Sequence, residues 1–128
     1  MTNIYHQLNQ AHIILVAAPL YFNTVPAQLK ALIDRCQALW ASKYILQDSL
    51  IDRQQQRLGA FISTAGQPKT KNRFKYVIGT MDLFFKAVNA TYYDNFLVGN
   101  IDQKPINKRP QILNQAQSWG EKIAQELQ

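Results

Sequence analysis

The sequence predicts a single α/β domain with a parallel sheet, spanning residues 1–128. One observation is the segment Ile13–Ala18, which is apolar at every position and contains several β-branched residues. This pattern is typical of a strand in a parallel sheet with both faces buried. The other observation is that helical and extended patterns alternate in the order α-β-α-β-α-β-α. Such alternation indicates parallel strands joined by right-handed helical crossovers.

Each element is assigned from the spacing of its apolar residues. The long helix is the clearest, because Val25, Leu29, Leu32 and the apolar residues that follow trace one helical face, and Pro26 suits a first turn. The polar stretch 41–56 predicts a solvent-exposed connection. The predicted elements, in chain order, are a helix over 2–10, a strand over 13–18, a helix over 26–40, a strand over 58–64, a helix over 74–88, a strand over 92–98 and a helix after Pro110.

Composition narrows the functional classes. Cys36 is the only cysteine, which excludes a disulfide or a cysteine-ligated zinc or iron–sulfur site within one chain, and its place on an apolar helical face predicts a buried thiol. No apolar run approaches the roughly 18 residues that span a bilayer, and no secretion signal is recognisable, so a cytoplasmic protein without membrane contact is expected. No local motif indicates a metal site or a catalytic acid, base or nucleophile.

The net charge of +6 leaves several interpretations open. One interpretation is that lysines are spread over solvated faces, and the others are binding to nucleic acid, to an acidic membrane surface or to an anionic small ligand. A local basic cluster stands out, comprising Lys69, Lys71, Arg73 and Lys75, and it could hold an anionic group. The cluster has no stacked run of aromatic residues between its charges and no nucleic-acid-binding signature, so DNA or RNA binding is not predicted.

Two irregular loops follow predicted strands, at Pro19–Val25 and at Ala65–Asn72. In open α/β sheets, ligands bind outside the carboxyl ends of the strands. The sequence therefore places a ligand site where these two loops meet. Aromatic residues at such positions also commonly cover helix ends, and a loop glycine such as Gly66 often only satisfies a turn, so the loops by themselves do not identify the ligand.

The segment "PLYFNTVPAQLKALIDR" resembles the loop and helix of the flavodoxin-like NAD(P)H-dependent FMN reductases, including their iron–sulfur flavoprotein branch. "STAGQP" resembles the second loop of the same family, and "SWGEKIAQEL" its last helix. The resemblance covers nearly the whole chain. It implies a flavodoxin-like three-layer α/β sandwich with a parallel sheet.

The resemblance also implies FMN as cofactor and NAD(P)H as co-substrate, with hydride transfer through flavin N5 to a quinone, a flavin or another small-molecule acceptor. No catalytic side chain is needed, because the cofactor supplies the chemistry. The residues implied to contact the flavin are Pro19, Leu20, Tyr21, Phe22, Asn23, Val25, Thr64, Ala65, Gly66 and Gln67.

Family members begin with a strand and a Thr/Ser/Gly-rich loop that holds the FMN phosphate at a helix N-terminus. This sequence shows no such element, so it is expected to form only the three C-terminal strands of the usual five. Ile13–Ala18 would then be an edge strand, and FMN binding would be weak or would require a partner chain. We expect either a homodimer through this edge or a complex with a chain that supplies the missing strands.

Two functional hypotheses follow. The first is an FMN-dependent NAD(P)H oxidoreductase. The alternative is a non-catalytic flavodoxin-like half domain, an assembly subunit or remnant without bound flavin, which the missing phosphate loop favours.

Overall fold

The computed structural model describes residues 1–127 and contains the predicted alternation of helices and strands. The helices and strands are α1 (Thr2–Gln10), β1 (Ile13–Pro19), α2 (Ala27–Arg35), α3 (Gln37–Tyr44), β2 (Leu58–Thr64), α4 (Lys75–Ala87), β3 (Thr91–Val98) and α5 (Pro110–Gln125), with a short 3₁₀ helix at Ile106–Lys108. Each predicted strand boundary lies within a residue of the observed one.

The three strands form one parallel sheet in the order β1-β2-β3. The register pairs Ile13 with Leu58 and Pro19 with Thr64, so β1 and β2 end at the same edge of the sheet. Within the described residues β1 has a neighbour on one side only. The prediction of a parallel sheet is confirmed.

Helices lie on both faces of the sheet, which gives three layers. On one face, Ile14, Val16 and Phe61 belong to a buried core that also contains apolar residues of α3 and α4. On the other face, α5 packs against β3. There the ring centroids of Trp119 and Phe96 lie 5.7 Å apart.

The segment predicted as one helix over 26–40 forms two helices, because the helix is interrupted at Cys36. The carbonyl oxygen of Arg35 accepts a hydrogen bond from the hydroxyl of Tyr5 in α1, at 2.7 Å. The N–H of Leu39, which would bond to Arg35 in a continuous helix, instead donates to the carbonyl of Cys36. Cys36 itself is 2% exposed, which confirms the predicted buried thiol.

The connection after α3 is less exposed than its polar sequence predicts. Ile51 is buried in the core, and Arg57 is 2% exposed. The Arg57 guanidinium donates hydrogen bonds to carbonyl oxygens of Leu8, Asn9 and Asp52. The predicted solvent-exposed connection is therefore wrong in part, because a buried arginine ties this segment to the end of α1.

The burial of β1 also differs from the prediction. Ile14 and Val16 are buried, whereas Leu15 is 55% exposed and Ala17 is exposed. The prediction of burial on both faces is wrong for the described residues, because α5 lies over β3 and leaves this face of β1 open.

Candidate functional site

The first loop contains a tight turn directly after β1. The N–H of Tyr21 donates to the carbonyl of Thr24 at 2.8 Å, and the N–H of Thr24 donates to the carbonyl of Tyr21 at 3.0 Å. Between them, Phe22 and Asn23 have φ angles of 46° and 65°. Two positive φ angles between mutually bonded residues define a type I′ turn.

Phe22 is an unusual residue for this position. Asparagine adopts a positive φ with little difficulty, but a bulky aromatic residue there is strained. The side chain of Phe22 is fully exposed, so packing within residues 1–127 does not offset the strain. Strained, exposed residues of this kind concentrate at binding sites, where the bound partner supplies the missing contacts.

Replacing Phe22 with asparagine is expected to stabilise the free protein by about 1 kcal/mol, because asparagine tolerates the left-handed conformation at the first position of a type I′ turn. Urea denaturation of the wild type and Phe22→Asn measures the difference. An unchanged or lower free energy of unfolding would show that Phe22 is not strained.

The second loop is fastened to the segment after β3. Ala65 donates its N–H to the carbonyl of Val98 at 2.8 Å and accepts a bond from the N–H of Ile101 at 3.2 Å. At Gly66, an added Cβ would lie 2.3 Å from a carboxylate oxygen of Asp102. The glycine therefore allows this segment to pack against Asp102. The second loop is thus fixed by its contacts with the segment that follows β3.

The two loops meet in a cleft of about 160 Å³ at the carboxyl ends of β1 and β2. Its lining residues are Leu20, Phe22, Asn23, Ala65, Gly66, Gln67 and Arg73. Small-molecule pockets usually enclose about 300–1,000 Å³. A cleft of this size accommodates one edge of a larger ligand and leaves the remainder against the surface.

Several residues that line the cleft have backbone N–H groups without a hydrogen-bond acceptor among residues 1–127. The N–H groups of Phe22, Asn23, Gly66 and Gln67 have no acceptor among residues 1–127. Arg73 uses its Nε to donate to the carbonyl of Pro68 at 3.3 Å, and it forms no ion pair with the described residues. Such a donor set fits a flat ligand whose edge carries hydrogen-bond acceptors and partial negative charge, as the pyrimidine edge of a flavin does.

The remaining residues implied by the resemblance lie outside this cleft. Pro19 and Thr64 pair with each other at the ends of their strands. Tyr21 is exposed beside the turn, and Val25 is 3% exposed within the core. Conversely, Arg73 was not predicted to join the loops. Its membership of the basic cluster was the only signal, and that signal pointed to an anion rather than to this cleft.

The lysines of the basic cluster face a second depression. Lys69, Lys71 and Lys75 line a groove of about 520 Å³ whose apolar walls include Phe74, Ile78 and Leu97. In the described part of the chain these lysines form no ion pair. The groove is therefore a positively charged, partly apolar surface next to the second loop.

Other reactive groups do not converge within residues 1–127. No three His, Cys, Asp or Glu residues lie together as a metal site would require. Burial raises the pKa of the Cys36 thiol from 9.0 to about 11, so it is protonated at neutral pH.

Among the helices of this part of the chain, none combines the length and apolar character that crossing a membrane requires.

Comparison with known sequences gives a flavoprotein relative. Over 66 residues, the chain is 38% identical to an iron–sulfur flavoprotein from Methanosarcina thermophila. The match covers 52% of this chain and 30% of the relative, so it spans less than a third of that curated protein.

Solved structures share the fold at low sequence identity. A thermophilic tryptophan halogenase from Streptomycin violaceusniger has a TM-score of 0.67 and 14% identity, with 89% of this chain and 69% of that chain covered. An NADPH-quinone reductase from P. pentosaceus has a TM-score of 0.58 and 15% identity, with 88% and 70% covered. At such identities the likeness concerns the fold alone.

The family model described as "flavodoxin-like fold" matches residues 2–123, nearly the whole chain. The match agrees with the parallel three-layer architecture and with the resemblance noted in the first loop. The chain belongs to this flavodoxin-like family.

Proposed function

We propose that this protein is an FMN-dependent NAD(P)H oxidoreductase whose flavin lies with one edge in the cleft between the two loops. The bound cofactor would supply hydride transfer through N5 from NAD(P)H to a quinone, a flavin or another small-molecule acceptor. The observation that carries the proposal is the meeting of Phe22, four unpaired N–H groups and Arg73 in one cleft. The similarity to an iron–sulfur flavoprotein supports it.

The residues of the cleft would bind and orient the ring rather than take part in bond breaking. The free N–H groups of Asn23 and Gly66 would donate to acceptor atoms along the edge of the ring. Phe22 would lie against its flat face and exclude water from it. The positive charge of Arg73 would stabilise the flavin ring in its reduced, more electron-rich state. This stabilisation would make hydride transfer to the ring more favourable.

The groove beside the second loop offers a place for phosphate. Lys69, Lys71 and Lys75 would attract the phosphate of FMN or of the nicotinamide cofactor. Flexible lysines hold a phosphate less firmly than a fixed set of backbone N–H groups. We therefore expect these lysines to hold the phosphate of FMN more weakly than a fixed set of backbone N–H groups would. The single buried cysteine suits a reducing cytoplasmic setting.

Quenching of FMN fluorescence during titration with the protein tests the proposal. Phe22→Ala and Arg73→Gln are each expected to weaken FMN binding by about tenfold, since each removes one stacking or charge-assisted contact. Tyr76→Ala and Arg53→Gln are matched controls, because they remove an aromatic ring and an arginine that do not line the cleft. The controls should bind FMN as the wild type does.

Two results would contradict the proposal. One is the absence of quenching at high micromolar protein. The other is that the cleft variants and their controls weaken FMN binding equally, which would indicate a nonspecific association of FMN with the positively charged protein. Circular dichroism of each variant establishes that its fold is retained.

The alternative, an assembly subunit that binds no flavin, is favoured by one observation: among residues 1–127, β1 pairs with a strand on one side only. Under that alternative, Phe22→Ala and Arg73→Gln leave assembly unchanged and there is no flavin binding to lose. Measuring both properties on the same variants separates the two functions.

A further inference from the structure

We propose that the lysine-lined groove beside the second loop is a binding site for a small amphipathic anion, a flat apolar ring system that carries a phosphate, sulfonate or carboxylate group. Three lysines supply positive charge and three apolar side chains supply the walls: Lys69, Lys71, Lys75, Phe74, Ile78 and Leu97. This ligand chemistry does not depend on what binds in the cleft, so the groove can be tested without flavin.

The groove is large enough for such a ligand. Its volume is about 520 Å³, whereas that of the cleft is about 160 Å³. Sites for small molecules usually enclose about 300–1,000 Å³, so the groove falls within this range and the cleft below it. The groove is built by the second loop, the start of α4 and Leu97 of β3, and β1 contributes no residue to it. A free phosphate would fill only part of this space.

The lysines of the groove lack negative partners. The sequence contains no aspartate or glutamate between Asp52 and Asp82. Within residues 1–127 the ion pairs join Lys30 to Asp34 and Lys86 to Asp82, and neither pair includes a lysine of the groove. Like charges that line one groove repel one another, and a bound anion would replace this repulsion with attraction.

The start of α4 adds to the positive charge. The helix begins at Lys75, its first turn contains no acidic residue, and no side chain of the described residues caps it. The N-terminal end of a helix carries partial positive charge, which favours acidic residues there and disfavours lysine. Local preferences are broken in this way where function requires it. An anion in the groove would offset the lysine charges and the helix dipole together.

The loop that carries two of the lysines is fixed to the segment after β3. The carbonyl of Gln67 accepts a hydrogen bond from the N–H of Asn100 at 2.8 Å. A Cβ added at Gly99 would clash with the backbone nitrogen of Lys69, so the glycine allows the loop to approach the end of β3 closely. The lysine side chains therefore extend from a backbone that the rest of the fold holds in place.

Only a ligand with both a ring and a charge uses the whole groove. An inorganic anion would contact the lysines and leave the apolar walls in water, whereas an uncharged ring would cover the walls and leave the charges unpaired. Burial of apolar surface and charge-assisted hydrogen bonds act together in an amphipathic anion. The groove is bounded in volume and is not an extended basic stripe, which favours a small molecule over a nucleic acid.

Fluorescence titration with 1-anilinonaphthalene-8-sulfonate provides the first test, because this probe is a flat ring system with one sulfonate. We expect saturable binding that weakens as NaCl is raised from roughly 0.05 to 0.5 M, since salt screens the lysine charges. N-phenyl-1-naphthylamine, the same ring system without the sulfonate, should bind at least about tenfold more weakly. Equal affinity for the two probes would overturn the proposal.

Charge removal tests the position of the site. Lys71→Gln combined with Lys75→Gln should weaken binding of the sulfonate probe by about tenfold. The matched control is Lys104→Gln combined with Lys108→Gln, which removes two exposed lysines that do not line the groove and should change the affinity by less than about twofold. Equal weakening by the two double variants would show a general attraction to a basic protein and would also overturn the proposal.

Stability provides a second measurement on the same site. Lys75→Gln alone should raise the free energy of unfolding, because it removes a positive charge from the start of α4. Weaker binding of the probe by a more stable variant cannot result from unfolding. A lower stability of Lys75→Gln would show that this lysine serves the fold and would contradict its assignment to a ligand.

Competition identifies the source of the anion. NADP⁺ carries a 2′-phosphate that NAD⁺ lacks, so displacement of the probe by NADP⁺ but not by NAD⁺ would assign the groove to the phosphorylated adenosine of a nucleotide. Displacement by anthraquinone-2-sulfonate would instead assign it to an anionic electron acceptor. Either result supports the proposal. Displacement by neither, or by single-stranded DNA alone, would overturn it. No FMN is present in these measurements, so their failure is distinguishable from failure of the proposed function.

Discussion

Replacing Arg57 with alanine is expected to lower the free energy of unfolding by about 3–5 kcal/mol, because three backbone carbonyl groups lose their donor and each unpaired buried acceptor costs about 1–3 kcal/mol. Arg57 is 2% exposed, and burial lowers the pKa of its guanidinium, although the group stays charged. Its Nη1 donates to the carbonyl of Asp52 at 2.6 Å and its Nε to the carbonyl of Leu8 at 3.2 Å. The alanine variant would leave these acceptors buried without donors.

The charge of Arg57 is balanced mainly by carbonyl dipoles. Leu8 and Asn9 lie in the last turn of α1, where the carbonyl groups of a helix carry partial negative charge. Arg57→Lys retains the positive charge but cannot reproduce the planar fork of donors, so an intermediate loss is expected. Arg53→Ala, an exposed control in the same segment, should change the free energy of unfolding by no more than about 0.5 kcal/mol. A loss below about 1 kcal/mol in Arg57→Ala would contradict this account.

Truncating Phe85 to alanine is expected to cost about 3–5 kcal/mol, because the side chain is fully buried and its removal leaves a cavity. The ring lies 5.0 Å from that of Tyr92 and 5.5 Å from that of Phe84. Phe85 also packs directly on the backbone of β2. A Cβ added at Gly59 would lie 2.4 Å from a ring carbon of Phe85.

This contact predicts a coupling between the two positions. Gly59→Ala alone should cost about 1–3 kcal/mol, since the ring cannot retreat within a packed core. Combined with Phe85→Ala, the added methyl group enters space that the ring has vacated, so the double variant should be less destabilised than the sum by about 1–2 kcal/mol. Urea denaturation of the four proteins measures this coupling.

Gly79→Ala is the control for a glycine without such a contact. It lies in α4 with open space where its Cβ would be, so helix propensity alone predicts a gain of about 0.5–1 kcal/mol. Additive losses at Gly59 and Phe85 would show that the ring and the glycine do not constrain each other.

The sequence predicted the elements well because apolar periodicity reports directly on burial. It failed where long-range contacts decide the outcome. The break at Cys36 depends on a hydroxyl of α1 reaching the carbonyl of Arg35, and nothing local to that helix signals it. Arg57 was assigned to a polar connection because a buried arginine and a solvated one look alike in a sequence. The open face of Leu15 depends on where α5 lies.

The site was predicted in part for a similar reason. Loops that follow adjacent parallel strands must meet at one edge, so the contact between the turn at Phe22 and the loop at Gly66 follows from topology. Which side chains face the cleft depends on dihedral angles and packing. The positive φ of Phe22, the burial of Val25 and the approach of Arg73 could be read only from the structure.

An amide ¹H–¹⁵N NMR titration of the protein with FMN tests whether a flavin ring lies in the cleft. We expect the largest shifts on Phe22, Asn23, Gly66 and Gln67, whose N–H groups have no acceptor among residues 1–127. Riboflavin, which lacks the phosphate, should shift the same amides and spare the lysine-lined groove. Shifts confined to residues 69–75 with FMN, and none with riboflavin, would contradict a flavin ring in the cleft.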